Sequence, residues 1–166
     1  MLQGGFLWLI QFCCDRIPLM KKNKIILGIL IVAWIAVIWG HSMQPATVSE
    51  EESGFFLEIL SKVISALENN DAGMFIVRKA AHFTEYLILG VLLALEFANF
   101  VRGWFRRFVE PWMLALTTAF IDETIQLFVE GRSGQVSDIW VDVAGAALGI
   151  LITLAIIGNR RGKRAY

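Results

Sequence analysis

The run from Ile25 to Gly40 carries no charged residue and is closed by His41 and Pro45. No other feature narrows the choice of fold as much, because a helix needs about 20 predominantly apolar residues to cross a hydrocarbon core. Three further segments read the same way: Val77 to Phe100, Pro111 to Val129, and Ser137 to Gly158, whose interior holds only Asp142 as a charge. The second and third of the four are interrupted by His82, Glu85, Asp122 and Glu123, yet charged loops bound both. A chain of 166 residues that is 57% hydrophobic, with mean hydropathy +0.62, is one domain too small to hide its apolar surface from water. Fifteen basic residues balance fifteen acidic ones, so there is no positive field for a nucleic acid. Cys13 and Cys14 are adjacent and give neither a disulfide framework nor a zinc site. The expected class is an all-α integral membrane protein with four transmembrane helices.

Basic residues set the expected orientation. Arg16, Lys21, Lys22 and Lys24 precede the first span, and Arg102, Arg106 and Arg107 separate the second from the third. Arg160, Arg161, Lys163 and Arg164 follow the fourth, which puts eleven of the fifteen basic residues on one side. The segment between the first two spans holds Glu50, Glu51, Glu52, Glu58, Glu68 and Asp71 against Lys62 alone. That segment belongs outside, and both termini belong in the cytoplasm.

Ser49 and Glu52 have capping-box spacing, and Phe56, Ile59, Leu60, Val63 and Leu67 recur at helical spacing. An amphipathic extracytoplasmic helix is therefore expected between spans one and two, either lying on the membrane surface, lidding the bundle, or gating a substrate. Residues 1–24 form a cytoplasmic N-terminal segment, 25–158 the membrane domain and 159–166 a basic cytoplasmic tail. Within the first of these, Gly4 to Cys14 is apolar but too short to span, and no basic residues precede it. Either Met20 is the natural start, or residues 1–19 are an interfacial segment.

Ionisable groups inside spans carry the functional signal, since each costs several kcal/mol in hydrocarbon unless paired or hydrated. Arg78, His82, Glu85, Tyr86 and Leu89 share one helical face; Thr118, Asp122, Gln126 and Glu130 form a second, with Glu123 beside it; Asp138, Asp142, Gly145 and Gly149 form a third. At 1.5 Å per residue, His82, Glu85, Asp122, Glu123 and Asp142 all fall about 10 Å below the outer boundary. Gly145 and Gly149 make a GxxxG that admits another helix closely, and Arg132 can overhang the mouth of the pocket. The arrangement fits a binding or reaction site, an ion-paired core neutralised by Arg78 or Lys79, or a divalent-cation site built on His82 and Glu85 with acids from the other helices. Outside the cluster, His41 reads as an interfacial cap, and Glu96 as a side chain that snorkels or pairs with Arg102 or Arg106. Trp34, Trp39, Trp104 and Trp112 read as an aromatic belt, and Thr117 and Thr118 as donors to backbone.

The set His41-Ser-Met-Gln-Pro with Ser49 and Ser53, Arg78-Lys-Ala-Ala-His82-Phe-Thr-Glu85-Tyr86, Asp122-Glu123-Thr-Ile-Gln126, and Gly131-Arg132 with Asp138, Asp142, Gly145 and Gly149 resembles the VanZ-like family. The resemblance covers about residues 25–155. It implies a small bacterial membrane protein, and the family's namesake lowers susceptibility to the glycopeptide teicoplanin. Two positions depart from the family pattern: Glu130 stands where the family usually has Pro, and Asp142 where it usually has Asn.

Two functions follow as expectations. One is a protein acting at the outer leaflet on a lipid or lipid-linked cell-envelope precursor, with His82, Glu85, Asp122 and Glu123 as acid–base candidates. Arg78, Lys79, Tyr86, Gln126, Arg132, Asp138 and Asp142 would then bind the substrate. The other is a non-catalytic protein that binds envelope precursors or glycopeptides and has a structural ion-paired core. A transporter is disfavoured, because the cytoplasmic half offers only Glu96 and no inverted repeat is apparent.

Overall fold

The computed structural model describes the backbone of residues 17–61 and 70–162, and the side chains of 25–59 and 70–157. The described chain is helical throughout: α1 (Ile17–Ser42), α2 (Ala46–Ser61), α3 (Asp71–Phe97), α4 (Trp104–Gln126) and α5 (Val136–Gly162). The apolar runs at Gly4–Cys14 and at Leu60, Val63 and Leu67, together with Lys163 and Arg164, lie outside the described residues or side chains.

Three stretches are long and apolar enough to cross a membrane: Ile25–Ser42 in α1, Asp71–Phe97 in α3 and Val136–Ile157 in α5. Helix α4 is 23 residues long, about 34 Å at 1.5 Å per residue, but Glu110, Asp122 and Glu123 set it apart from the other three. Large side chains cover the outside of the bundle, among them Ile29, Val32, Phe105, Phe120 and Trp140, all exposed. Helices that are apolar on the outside as well as the inside are suited to lipid rather than water.

Several boundaries move from the sequence expectation. Helix α1 is described from Ile17, upstream of the uncharged run that opens at Ile25. Helix α2 starts at Ala46, because the Pro45 carbonyl accepts from the N–H groups of Val48 and Ser49. Ser49 is therefore inside the helix and does not cap it. Among its described side chains α2 buries Leu57, while Ile59 and Phe55 are exposed. Asn70 caps α3 by accepting from Gly73 N–H at 2.9 Å, with Asp71 in the first turn where the helix dipole favours an acid. Pro111 lies within α4 instead of opening it.

The core forms where α3, α4 and α5 meet, with α1 against α3 and α4. Ile38, Tyr86, Leu89, Leu93, Ala115, Ala119, Val143 and Ala146 build its larger part, and Ala94, Ile150 and Leu154 its other end. The α3–α5 contact is the closest. A Cβ on Gly145 would lie 2.3 Å from the Phe83 carbonyl oxygen, and one on Gly149 2.2 Å from that of Leu87. From the other side, a Cβ on Gly90 would lie 2.2 Å from the Ala146 oxygen. The small residues thus let two backbones touch, as close helix contacts in lipid require. Gly90 is the counterpart that the GxxxG pattern alone does not name.

The tryptophans act as struts more than as a belt. Trp34 donates to the Glu85 carbonyl at 2.9 Å, Trp112 to that of Val143 at 3.3 Å and Trp39 to that of Thr118 at 3.5 Å. Each ties two helices together, whereas Trp104 is exposed and stacks on Phe108. Thr117 and Thr118 donate to the carbonyls four residues back. Arg106 pairs with Glu110, not with Glu96.

Candidate functional site

The alternating helix directions bring the end of α1, the first half of α3, the last turns of α4 and the first half of α5 to one end of the bundle. A cavity of 650 Å³ opens there between α1, α2 and α3. Its walls are mostly apolar, with Trp34, Phe56, Ile76, Val77 and Ile88 among them; Arg78, Arg132, His82, His41, Glu85 and Glu52 supply charge and hydrogen bonds.

Arg132 reaches the cavity because of the turn that carries it. Gly131 adopts φ +75°, a conformation that favours glycine, and a Cβ there would lie 2.9 Å from the Ala46 side chain. The Glu130 carbonyl accepts from Ala46 N–H at 3.2 Å, which pins the loop to the start of α2. Arg132 then donates to the His41 carbonyl at 3.2 Å, satisfying the C-terminal end of α1. Its guanidinium is held below its ordinary proton affinity by burial first, and then by Arg78 facing it. Neither arginine is in an ion pair among the described residues.

His41 is more than an interfacial cap: its Nδ1 lies 2.6 Å from the Glu85 carboxylate, linking α1 to α3 across the cavity wall. Ser42, wholly buried, is a second group the sequence reading passed over. Its oxygen accepts from the Gln126 amide at 3.3 Å, and its hydroxyl faces Asp122. Both residues stand in the His41-Ser-Met-Gln-Pro string that carried the family resemblance, and that string was the available signal.

Behind the wall, His82, Asp122 and Asp142 converge from α3, α4 and α5, each offering an atom within 4.8 Å of the others. Both aspartates are 0% exposed, and His82 Nδ1 stands 3.5 Å from Asp142. Tyr86 is wholly buried beside these acids, with its hydroxyl unpartnered.

The remaining candidates are placed elsewhere. Lys79 is ion-paired with Asp138 and lies 5.0 Å over the Phe75 ring, away from the cavity wall. Asp138 also accepts from Ser137 at 3.0 Å. Glu123 accepts from the backbone N–H of Gln135 at 2.7 Å and from Gln126 at 3.4 Å. It fastens the loop that leads into α5, so both its oxygens have partners. Gly145 and Gly149 hold the α3–α5 contact just described.

No curated protein and no solved structure matches the chain. A protein-family model, described as VanZ/LLP1, does match it, over residues 27–157, which is most of its length. The charged strings on α1, α3, α4 and α5 that meet around this cavity all fall within the match, and the chain belongs to the VanZ/LLP1 family as a multi-pass membrane protein.

Proposed function

We propose that the cavity binds a phosphate-bearing amphiphile, a membrane lipid or lipid-linked cell-envelope precursor, at the extracytoplasmic face of the cell membrane. In this reading α4 completes a four-span bundle, α2 is an extracytoplasmic helix, and the eleven cations named above keep both termini inside. The observation that carries the proposal is the pair Arg78 and Arg132, two guanidiniums in no ion pair among the described residues, on a largely apolar wall. Guanidinium forks match phosphate or carboxylate oxygens, and the apolar wall suits an acyl or prenyl chain. Through such binding the protein would change how envelope precursors reach the surface, and with that the susceptibility of the cell to glycopeptides such as teicoplanin.

Binding is favoured over a reaction because, of the four acid–base candidates, only His82 and Glu85 reach the cavity. Asp122 lies behind the wall, and Glu123 is held by Gln135 and Gln126. The test is native mass spectrometry of purified protein with polyprenyl phosphate, phosphatidylglycerol and phosphatidylcholine. The two anionic amphiphiles should bind and phosphatidylcholine should not, and Arg132→Ala should abolish the difference. Equal retention of all three by the wild type would sink the proposal. Glu85→Gln separates the readings: a pure binding site keeps its ligand and its effect on glycopeptide susceptibility, whereas an acid–base site keeps the ligand and loses the effect.

A further inference from the structure

The second feature of this end of the molecule lies behind the cavity and involves none of the residues that would hold the anion. His82, Asp122 and Asp142 sit on three different helices, and each directs one metal-capable atom to within 4.8 Å of the other two. Both carboxylates are 0% exposed, and none of their four oxygens has a hydrogen bond of ordinary geometry, nor has His82 Nδ1. Buried polar atoms are almost always satisfied, so five unsatisfied ones on three residues that meet require an explanation.

Charge gives the same answer. Two buried carboxylates repel, and a protonated His82 could offset only one of them. The other cations nearby are committed or distant: Lys79 is paired with Asp138, and Arg78 and Arg132 face the cavity. The remaining titratable groups around the cluster are Glu85, Asp138 and Glu123, all acidic, with Tyr86.

Geometry narrows the choice. The 3.5 Å between His82 Nδ1 and Asp142 Oδ1 is long for a charge-assisted hydrogen bond, which is about 2.7–2.9 Å. It is close to the ligand–ligand edge of about 3.4 Å that follows from tetrahedral bonds of about 2.1 Å to one ion. An imidazole with two carboxylates is a donor set for a borderline transition metal, whereas calcium takes six to eight oxygens.

We propose that His82, Asp122 and Asp142 bind a single divalent transition-metal ion of the zinc class, with Ser42 as the outer-shell donor that orients Asp122. Gln126 fixes the Ser42 hydroxyl from the far side, the support that metal-binding carboxylates ordinarily have. Because His82 also lines the cavity, the ion would stand at its inner wall.

The experiment is a titration of chelator-stripped, detergent-purified protein with zinc, manganese and magnesium chlorides, read by elemental analysis after desalting and by thermal unfolding. Zinc should bind one per chain and raise the melting temperature, manganese more weakly, and magnesium least. Asp142→Asn and His82→Gln should each weaken zinc by more than the roughly 10- to 100-fold that losing an outer-shell partner costs, and Ser42→Ala should fall within that range. Absence of stoichiometric zinc in the folded wild type overturns the proposal, as does zinc binding that survives both ligand variants. Should a variant fail to fold, the wild-type stoichiometry and melting shift still decide, since an ion bound only by the native state must stabilise it. No lipid is present in this titration, so it can fail while Arg78 and Arg132 still retain anionic amphiphiles, and the reverse holds as well.

Discussion

The two ends of the bundle handle charge in opposite ways. At the end formed by the α3–α4 connection, Arg106 and Arg107 find their partners within their own neighbourhood. Arg106 pairs with Glu110 one helical turn away at 2.7 Å, Arg107 donates to the carbonyls of Val101 and Ala98, and the core is Ala94, Ile150 and Leu154 under Phe108 and Trp112. At the other end the charges cross between helices: His41 to Glu85, Lys79 to Asp138, and His82 to Asp142. Arg78 and Asp122 have no hydrogen bond or ion pair of ordinary geometry among the described residues, and Asp142 meets His82 at 3.5 Å without a hydrogen bond. Polar groups that stabilise a fold close their bonds locally, and groups left open in a buried setting are placed for something else.

The largest expected effect tests the scaffold beneath that contrast. Gly149→Val places side-chain atoms where even a Cβ would be 2.2 Å from backbone, and it should destabilise the protein by about 3 kcal/mol or more. Gly28→Ala and Gly40→Ala meet nothing within 4 Å and should leave the detergent melting temperature unchanged or raised. A similar loss at all three positions would remove the case for a special α3–α5 contact.

Next comes the cavity. Arg132→Ala should weaken anionic amphiphile binding by about 10- to 150-fold, the equivalent of a charged hydrogen bond of roughly 1.5–3 kcal/mol, and Arg132→Lys should restore part of it. Glu123→Gln should cost about 1 kcal/mol of stability through the weakened Gln135 N–H contact, with amphiphile binding unchanged. A loss of binding without a loss of stability would move Glu123 into the site. Smallest of all, Arg106→Ala breaks a pair whose arginine is 68% exposed and should change unfolding by less than about 0.5 kcal/mol. A larger cost there would erase the difference between the two ends.

Much of the fold could be read in advance where the signal was local. Apolar runs marked the stretches in α1, α3 and α5 that are long enough to span, and i, i+3 or i, i+4 spacing put His82 and Glu85, Asp122 and Gln126, and Asp138 and Asp142 on shared faces. The resemblance to the VanZ-like family was also legible, and the family match confirms it. Helix ends were less so. Ser49 looks like a cap only if the Pro45 carbonyl is ignored, and Pro111 looks like a start although α4 runs through it.

Periodicity and the distribution of charge determined that this chain is helical, suited to a membrane and polar at one level, because these properties follow from each residue and its near neighbours. Which charges meet is a different matter. Lys79 and Arg78 are adjacent, yet one is paired with Asp138 and the other lines the cavity. His41 looks like a terminal cap and is bonded to Glu85. Asp122 and Asp142, twenty positions apart in sequence, share one buried point with His82. Those partnerships depend on the rotation and approach of whole helices, set by Gly90, Gly145 and Gly149 against opposing backbone. A one-dimensional pattern carries no term for that approach, and only the tertiary structure decided it.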